Sequence, residues 1–261
     1  MKQAVLCVSF GTSVPAARVS ITAVEETLRQ ASPDRLFLRA FTSPTIRRVL
    51  AERGEEVPGV AEALERLWEQ GVREVLVQPT HVLYGHEYDK LRRETENWRD
   101  RFDRLELGRP LLADAADIQA LAEAVGEAYP PCDGETLVLL GHGTDHFANA
   151  VYPALQTAFR LNGRTDVLVG TVEGWPDYGD VARQVRSGSG QRVHLAPLML
   201  VAGDHAVNDM AGGGPDSWAS RLAAEGCEVR CTMRGLGQLP TVRALYRAHL
   251  EAALRGDGHG L

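Results

Sequence analysis

Short apolar segments that end near Gly or Pro alternate along the chain with longer amphipathic segments. Such runs are typical of strands buried on both faces of a parallel sheet, and the longer segments have helical spacing. The predicted strands are 4–10, 36–41, 74–79, 136–140, 166–172, 192–198 and 227–233, and the clearest predicted helices are 16–30, 60–70, 118–128 and 240–254. This alternation predicts an α/β fold of repeated βα units around mostly parallel sheets.

A cluster of turn-forming residues, Pro130 to Gly134, divides the chain near its middle by ending a predicted helix just before a predicted strand. We therefore expect an N-terminal α/β lobe at 1–130 and a C-terminal α/β lobe at 135–254. The Gly-rich segment 255–261 is expected to be a flexible tail.

The two expected lobes match each other at three strand ends, in the same order. Phe10 in VSFGTS lies over His142 in LGHGTD, Thr42 lies over Glu173, and the segment from Gln78 to Glu87 lies over that from Ala196 to His205. Three ordered matches favour a duplicated domain. We expect two similar parallel-sheet lobes facing a central cleft, because ligands of such sheets bind beyond the carboxyl ends of the strands.

Each matched strand end of the second half carries a potential metal ligand: His142, Glu173 and His205. Two imidazoles and a carboxylate suit cobalt, nickel, iron or zinc, and three ligands leave coordination positions open for exchange. In the alternative interpretation, each histidine is an ordinary loop residue bonded to a neighbouring carbonyl.

Composition narrows the range of functions. The net charge of −7 argues against a nucleic-acid partner. No apolar stretch approaches the roughly 18 residues that cross a bilayer, and no signal peptide precedes the first strand, so we expect a cytoplasmic protein without a membrane partner.

The four cysteines are expected to be thiols, and Cys227 with Cys231 is interpreted as a packing pair rather than half of a zinc site.

Four motifs are distinctive: VSFGTS at 8–13, RAFTS at 39–43, GHG at 141–143 and the specific run PLMLVAGDHAVNDM at 197–210. Together they resemble the anaerobic cobalt chelatases of the CbiK type. The resemblance spans nearly the whole chain and implies a class II chelatase fold that inserts Co²⁺, as the substrate metal, into the tetrapyrrole sirohydrochlorin. It further implies action without ATP or an organic cofactor, in anaerobic cobalamin biosynthesis, with His142, Glu173 and His205 as the metal ligands.

The chemistry of insertion suggests further roles. The macrocycle must lose two pyrrole protons, and His142 is our candidate acceptor beside the metal. The candidate substrate contacts are Ser9, Phe10, Thr12 and Glu87. The alternatives for these four are helix capping by Ser9 and Thr12, a buried strand-end aromatic at Phe10 and a surface carboxylate at Glu87.

Other functions remain open at this stage. Insertion of iron or nickel into a related tetrapyrrole would use the same residues, and a non-catalytic tetrapyrrole or metal carrier would also place ligands at strand ends. A metallohydrolase is disfavoured because the chain lacks an HxH or HExxH motif. The sequence also leaves a homo-oligomer open.

Overall fold

The computed structural model of the chain describes residues 2–188 and 191–256. They form two compact units: the first runs to Ala113 and includes the last helix from Arg243 onwards, and the second is Asp114–Val242. Residues 257–261 of the expected tail lie outside the described residues.

The first unit contains a parallel four-stranded sheet in the order β2-β1-β3-β4. Its strands are β1 (Lys2–Ser9), β2 (Leu36–Phe41), β3 (Val72–Pro79) and β4 (Arg104–Leu107), and its helices are α1 (Arg18–Gln30), α2 (Pro44–Glu52), α3 (Val60–Glu69) and α4 (His86–Glu96), with α9 (Pro240–Arg255) returning at the end of the chain. The interior of this sheet is apolar on both faces, since every residue from Ala4 to Val8 is buried.

The second unit contains a parallel sheet in the order β6-β5-β7-β8. Its strands are β5 (Glu135–Gly141), β6 (Val167–Thr171), β7 (Arg192–Pro197) and β8 (Glu228–Cys231), and its helices are α5 (Ala115–Ala128), α6 (Val151–Leu161), α7 (Tyr178–Ser187) and α8 (Trp218–Ala224). A short π-helical segment, Ala206–Met210, follows β7.

The division between the units differs from the expected boundary at 130–134. Helix α5 packs against α6 and so belongs to the second unit. Helix α9 belongs to the first unit, where buried Tyr246 donates a hydrogen bond of 2.8 Å to the carbonyl oxygen of Thr80. The two sheets nevertheless share one strand order, as a duplicated βα domain requires.

Backbone hydrogen bonds fix the equivalence of the strand ends and correct one of the three expected matches. Ser43 N–H donates to the Phe10 carbonyl as Glu173 N–H donates to the His142 carbonyl. Ser43, and not Thr42, is therefore the counterpart of Glu173. The third match is confirmed, because Asp89 N–H bonds Gly85 as Val207 N–H bonds Gly203, which pairs Glu87 with His205.

No helix within the described residues is long and apolar enough to cross a membrane.

Candidate metal centre

The three predicted ligands follow three adjacent parallel strands of the second unit. His142 comes directly after β5, Glu173 lies two residues beyond β6, and His205 lies in the segment after β7. Because the carboxyl ends of parallel strands share one edge of a sheet, the fold brings these residues together although they are far apart in sequence.

Among the described residues, one group of three or more His, Cys, Asp or Glu side chains is arranged to hold a metal ion. It consists of His142, Glu173 and His205, each offering one ligand atom, with all such atoms within 4.8 Å of one another. The two imidazole rings meet edge to face, with centroids 4.5 Å apart, and His142 Nδ1 lies 3.9 Å from Glu173 Oε2. The side chains of His142, Glu173 and His205 are 49%, 58% and 31% exposed, so an ion can reach them from solvent.

Glycine is required beside His142 for two reasons. Gly143 has φ of +84°, and a Cβ there would lie 2.4 Å from the amide nitrogen of Gly174 in the loop that carries Glu173. The Gly143 N–H donates to the hydroxyl of buried Tyr152 at 3.3 Å, and burial raises the pKa of that phenol, which keeps it neutral. The loops that carry two of the three ligands are thus in direct contact.

Hydrogen bonds determine which nitrogen of each histidine remains available. His142 Nδ1 lies 2.8 Å from the carbonyl oxygen of Gly143, and His205 Nδ1 lies 2.7 Å from Asp209 Oδ2. A carbonyl oxygen accepts hydrogen bonds and donates none, so the contact with Gly143 places the hydrogen of the neutral His142 ring on Nδ1 and leaves the Nε2 lone pair free. Asp209 was not predicted as a site residue, although its position four residues after His205 was a usable signal.

The candidate substrate contacts in the first unit differ in accessibility. Phe10 is 47% exposed, so the alternative of a buried strand-end aromatic is wrong. Ser9 is buried and its hydroxyl accepts from Thr80 Oγ1 at 2.8 Å, whereas Thr12 Oγ1 accepts from Val14 N–H in a local turn. The capping alternative is also wrong, because the first turn and helix α1 have no side-chain cap.

Glu87 lies in the first turn of α4 and is half-buried. Its Oε2 accepts a hydrogen bond of 3.1 Å from Thr42 Oγ1, and Lys90 Nζ donates to the Thr42 carbonyl at 3.1 Å. At these positions the first unit has a single carboxylate, so the difference in chemistry between the two halves is confirmed.

The interpretation of Cys227 and Cys231 as a packing pair is half correct. Both are free thiols; Cys227 packs against the core of the second unit, whereas Cys231 is exposed on β8.

The fold and the site together define a duplicated α/β protein with three side chains, at the strand ends of one unit, that could hold a metal ion. The profile of the family described as cobalt chelatase (CbiK) matches residues 3–255. The chain belongs to this family.

Two relatives and two solved structures support the assignment. The chain is 42% identical over 260 residues to a sirohydrochlorin cobaltochelatase of Salmonella typhimurium, with 97% of each chain covered. It is 33% identical to the sirohydrochlorin cobaltochelatase CbiKC of Nitratidesulfovibrio vulgaris, covering 97% of this chain and 91% of that one. Two Bacillus subtilis SirB structures, one with Fe³⁺ and one, from subspecies spizizenii, with cobalt, have TM-scores of 0.66 and 0.64 at 17% and 16% identity. The first alignment covers 97% of this chain and 95% of the other, and the second covers 98% and 97%; at this identity, both show the shared fold.

Proposed function

We propose that this protein inserts Co²⁺ into sirohydrochlorin, without ATP, in anaerobic cobalamin biosynthesis. The observation that carries the proposal is the cluster of His142, Glu173 and His205 in a member of the CbiK family. Three ligands hold a divalent ion while leaving positions for the incoming pyrrole nitrogens. Co²⁺ is here a substrate, and the proposal requires no organic cofactor.

In this mechanism the two histidines and the glutamate have different roles in binding the metal and accepting protons. Two pyrrole protons leave as the metal enters. His142, whose Nδ1 is hydrogen-bonded to the Gly143 carbonyl, would help to hold the ion through Nε2 and, once the ion has passed to the ring, accept one of these protons on the same nitrogen. The other proton would pass to water, which reaches the 49% exposed side chain. Glu173 and His205 hold the ion, and the carboxylate of Glu173 offsets part of its charge. His142 and His205 are the catalytic residues of this proposal.

The residues proposed to contact the macrocycle belong to the first unit. Exposed Phe10 offers an aromatic face to a flat ring, and half-exposed Glu87 offers a carboxylate for proton or metal transfer. Ser9 and Thr12 are buried, so the structure favours Phe10 and Glu87 over the two hydroxyls. We also propose a cytoplasmic location, without a nucleic-acid partner.

The decisive experiment is anaerobic incubation of the purified protein with sirohydrochlorin and Co²⁺, in the absence of ATP, while the absorbance of the macrocycle is followed. Parallel reactions contain Ni²⁺ or Fe²⁺. We expect the fastest spectral change with Co²⁺ and the loss of most turnover in His142→Ala and His205→Ala, with circular dichroism unchanged. Near wild-type turnover in both folded variants would contradict the proposed site.

Iron insertion is the second candidate, because the same nitrogen and oxygen donors also suit iron. The metal series separates the two functions. A faster reaction with Fe²⁺ than with Co²⁺ would favour a ferrochelatase, and tight binding of both substrates without turnover would favour a carrier.

A further inference from the structure

The ring of His205 is held by a carboxylate of its own helical segment. Its Nδ1 lies 2.7 Å from Asp209 Oδ2, four residues later, and the aspartate side chain is 44% exposed. The proposed function assigns no role to Asp209.

This contact selects one of two forms of the imidazole. A neutral histidine carries its hydrogen on either Nδ1 or Nε2, and only the nitrogen without hydrogen can bind a metal. An ionised carboxylate accepts hydrogen bonds and donates none, so its position beside Nδ1 places the hydrogen there. The Nε2 of His205 then keeps a free lone pair.

The contact also fixes the direction of the ring. A side chain that is 31% exposed has room to rotate, and a short hydrogen bond from one edge restricts that rotation. His142 obtains the same restriction from a backbone carbonyl, that of Gly143. The two histidines are therefore oriented by different kinds of acceptor. The side-chain acceptor of Asp209 can be removed by mutation, whereas the main-chain carbonyl of Gly143 cannot.

We propose that Asp209 is a positioning residue that holds His205 as the Nδ1–H form with Nε2 directed to the metal. The proposal rests on the function proposed above only in taking His205 as a metal ligand. A carboxylate behind a ligating histidine also makes the imidazole a stronger donor, and the loss of such partners commonly lowers metal affinity by about tenfold or more.

The test uses three variants of the full chain. Asp209→Leu removes the acceptor at similar size, whereas Asp209→Asn removes the charge and keeps an acceptor oxygen. The matched control is Asp204→Asn, which removes one charge from the same segment; Asp204 accepts from Asn208 Nδ2 at 2.9 Å, and an asparagine can keep that bond.

The first measurement is made without metal. Long-range nitrogen–proton NMR of the histidine rings reports which nitrogen carries hydrogen, and the His205 signal is identified by its absence in His205→Ala. We expect Nδ1–H in the wild type, in Asp204→Asn and in Asp209→Asn, and a shift towards Nε2–H in Asp209→Leu. An unchanged Nδ1–H form in Asp209→Leu would overturn the proposal.

The second measurement is a titration with Co²⁺ alone. We expect affinity to fall about tenfold or more in Asp209→Leu and less in Asp209→Asn, and to stay within about twofold in Asp204→Asn. Equal losses in Asp204→Asn and Asp209→Asn would show an effect of general charge and would also overturn the proposal. Neither measurement requires turnover, so a wild-type protein that binds Co²⁺ but inserts none would refute the proposed function alone.

Discussion

Among the three proposed ligands, Glu173 is the one in which a single substitution can remove the charge and keep the shape of the side chain. We expect Glu173→Gln to weaken Co²⁺ binding by about tenfold or more, corresponding to about 1.4 kcal/mol, because the amide lacks the charge that holds a dication. Binding of the anionic macrocycle should be equal or stronger. Separate titrations with metal and with sirohydrochlorin measure both effects.

The control for this substitution is Glu228→Gln. Glu228 is an exposed carboxylate at the start of β8, at the sheet edge opposite the ligands, and its loss should leave both affinities unchanged. If Glu173→Gln keeps its metal affinity while macrocycle binding collapses, Glu173 is a substrate residue.

His81, just beyond β3, is expected to make the stability of the fold depend on pH. Both its ring nitrogens are buried without a hydrogen-bond partner among the described residues, and burial lowers the pKa from 6.5 to about 4. Between these values the unfolded chain binds the proton and the folded chain does not, so the free energy of unfolding falls as the pH falls from 6.5 towards 4. The full effect is about 3 kcal/mol.

Urea denaturation at several pH values measures this dependence. His81→Leu should lose less stability than the wild type over the same interval, whereas substitution of exposed His86 by Gln controls for the loss of a histidine as such. Parallel curves for His81→Leu and the wild type would show that His81 does not titrate with unfolding.

At the scale of elements, a reciprocal cap fixes the start of α7 just after the loop that carries Glu173. Asp177 Oδ1 accepts from Asp180 N–H at 2.9 Å, and Asp180 Oδ2 accepts from Asp177 N–H at 3.3 Å. We expect Asp177→Ala to lower the free energy of unfolding by about 1 kcal/mol and Asp177→Asn to lower it much less, because Asn also caps helices well. Chemical denaturation measures both values. If the two variants lose equal free energy of unfolding, the side-chain hydrogen bond of Asp177 is not the source of the stabilisation.

The elements that apolar patterning predicts best are the buried strands and the long helices. Strand β2 was predicted with its observed bounds, Leu36–Phe41, whereas β4, Arg104–Leu107, was missed. Strand β4 is a four-residue edge strand in which charged and apolar residues alternate, so it lacks the continuous apolar run of a central strand.

The three candidate ligands stand out in the sequence because each follows a recognisable strand, whereas the contacts around them were harder to predict. The match of Thr42 with Glu173 was wrong by one residue, because the register there is fixed by backbone pairing, such as the hydrogen bond from Ser43 N–H to the Phe10 carbonyl, which the sequence does not show. The spacing of His205 and Asp209 is visible in the sequence, whereas the rotamers that bring Nδ1 to the carboxylate depend on the packed segment.

At the scale of the whole molecule, duplication of the fold without duplication of the ligands predicts one Co²⁺ per chain. The counterparts of His142, Glu173 and His205 are Phe10, Ser43 and Glu87, which together offer one carboxylate and no imidazole. Calorimetric titration should give one equivalent in the wild type and none of similar affinity in His205→Ala. A second equivalent that survives this substitution would place another metal site elsewhere in the chain.

Because the last helix belongs to the first unit, the two units are completed at different times during translation. The second unit is one continuous stretch, Asp114–Val242, whereas the first unit needs residues from both sides of it. Residues Tyr246 and Leu250 of α9 are fully buried, so the earlier part of the first unit emerges from the ribosome with that apolar surface still uncovered. The second unit, which carries the candidate metal site, is therefore translated completely before the first unit. The N-terminal part of the first unit can complete its core only after α9, the last helix to be translated, has emerged.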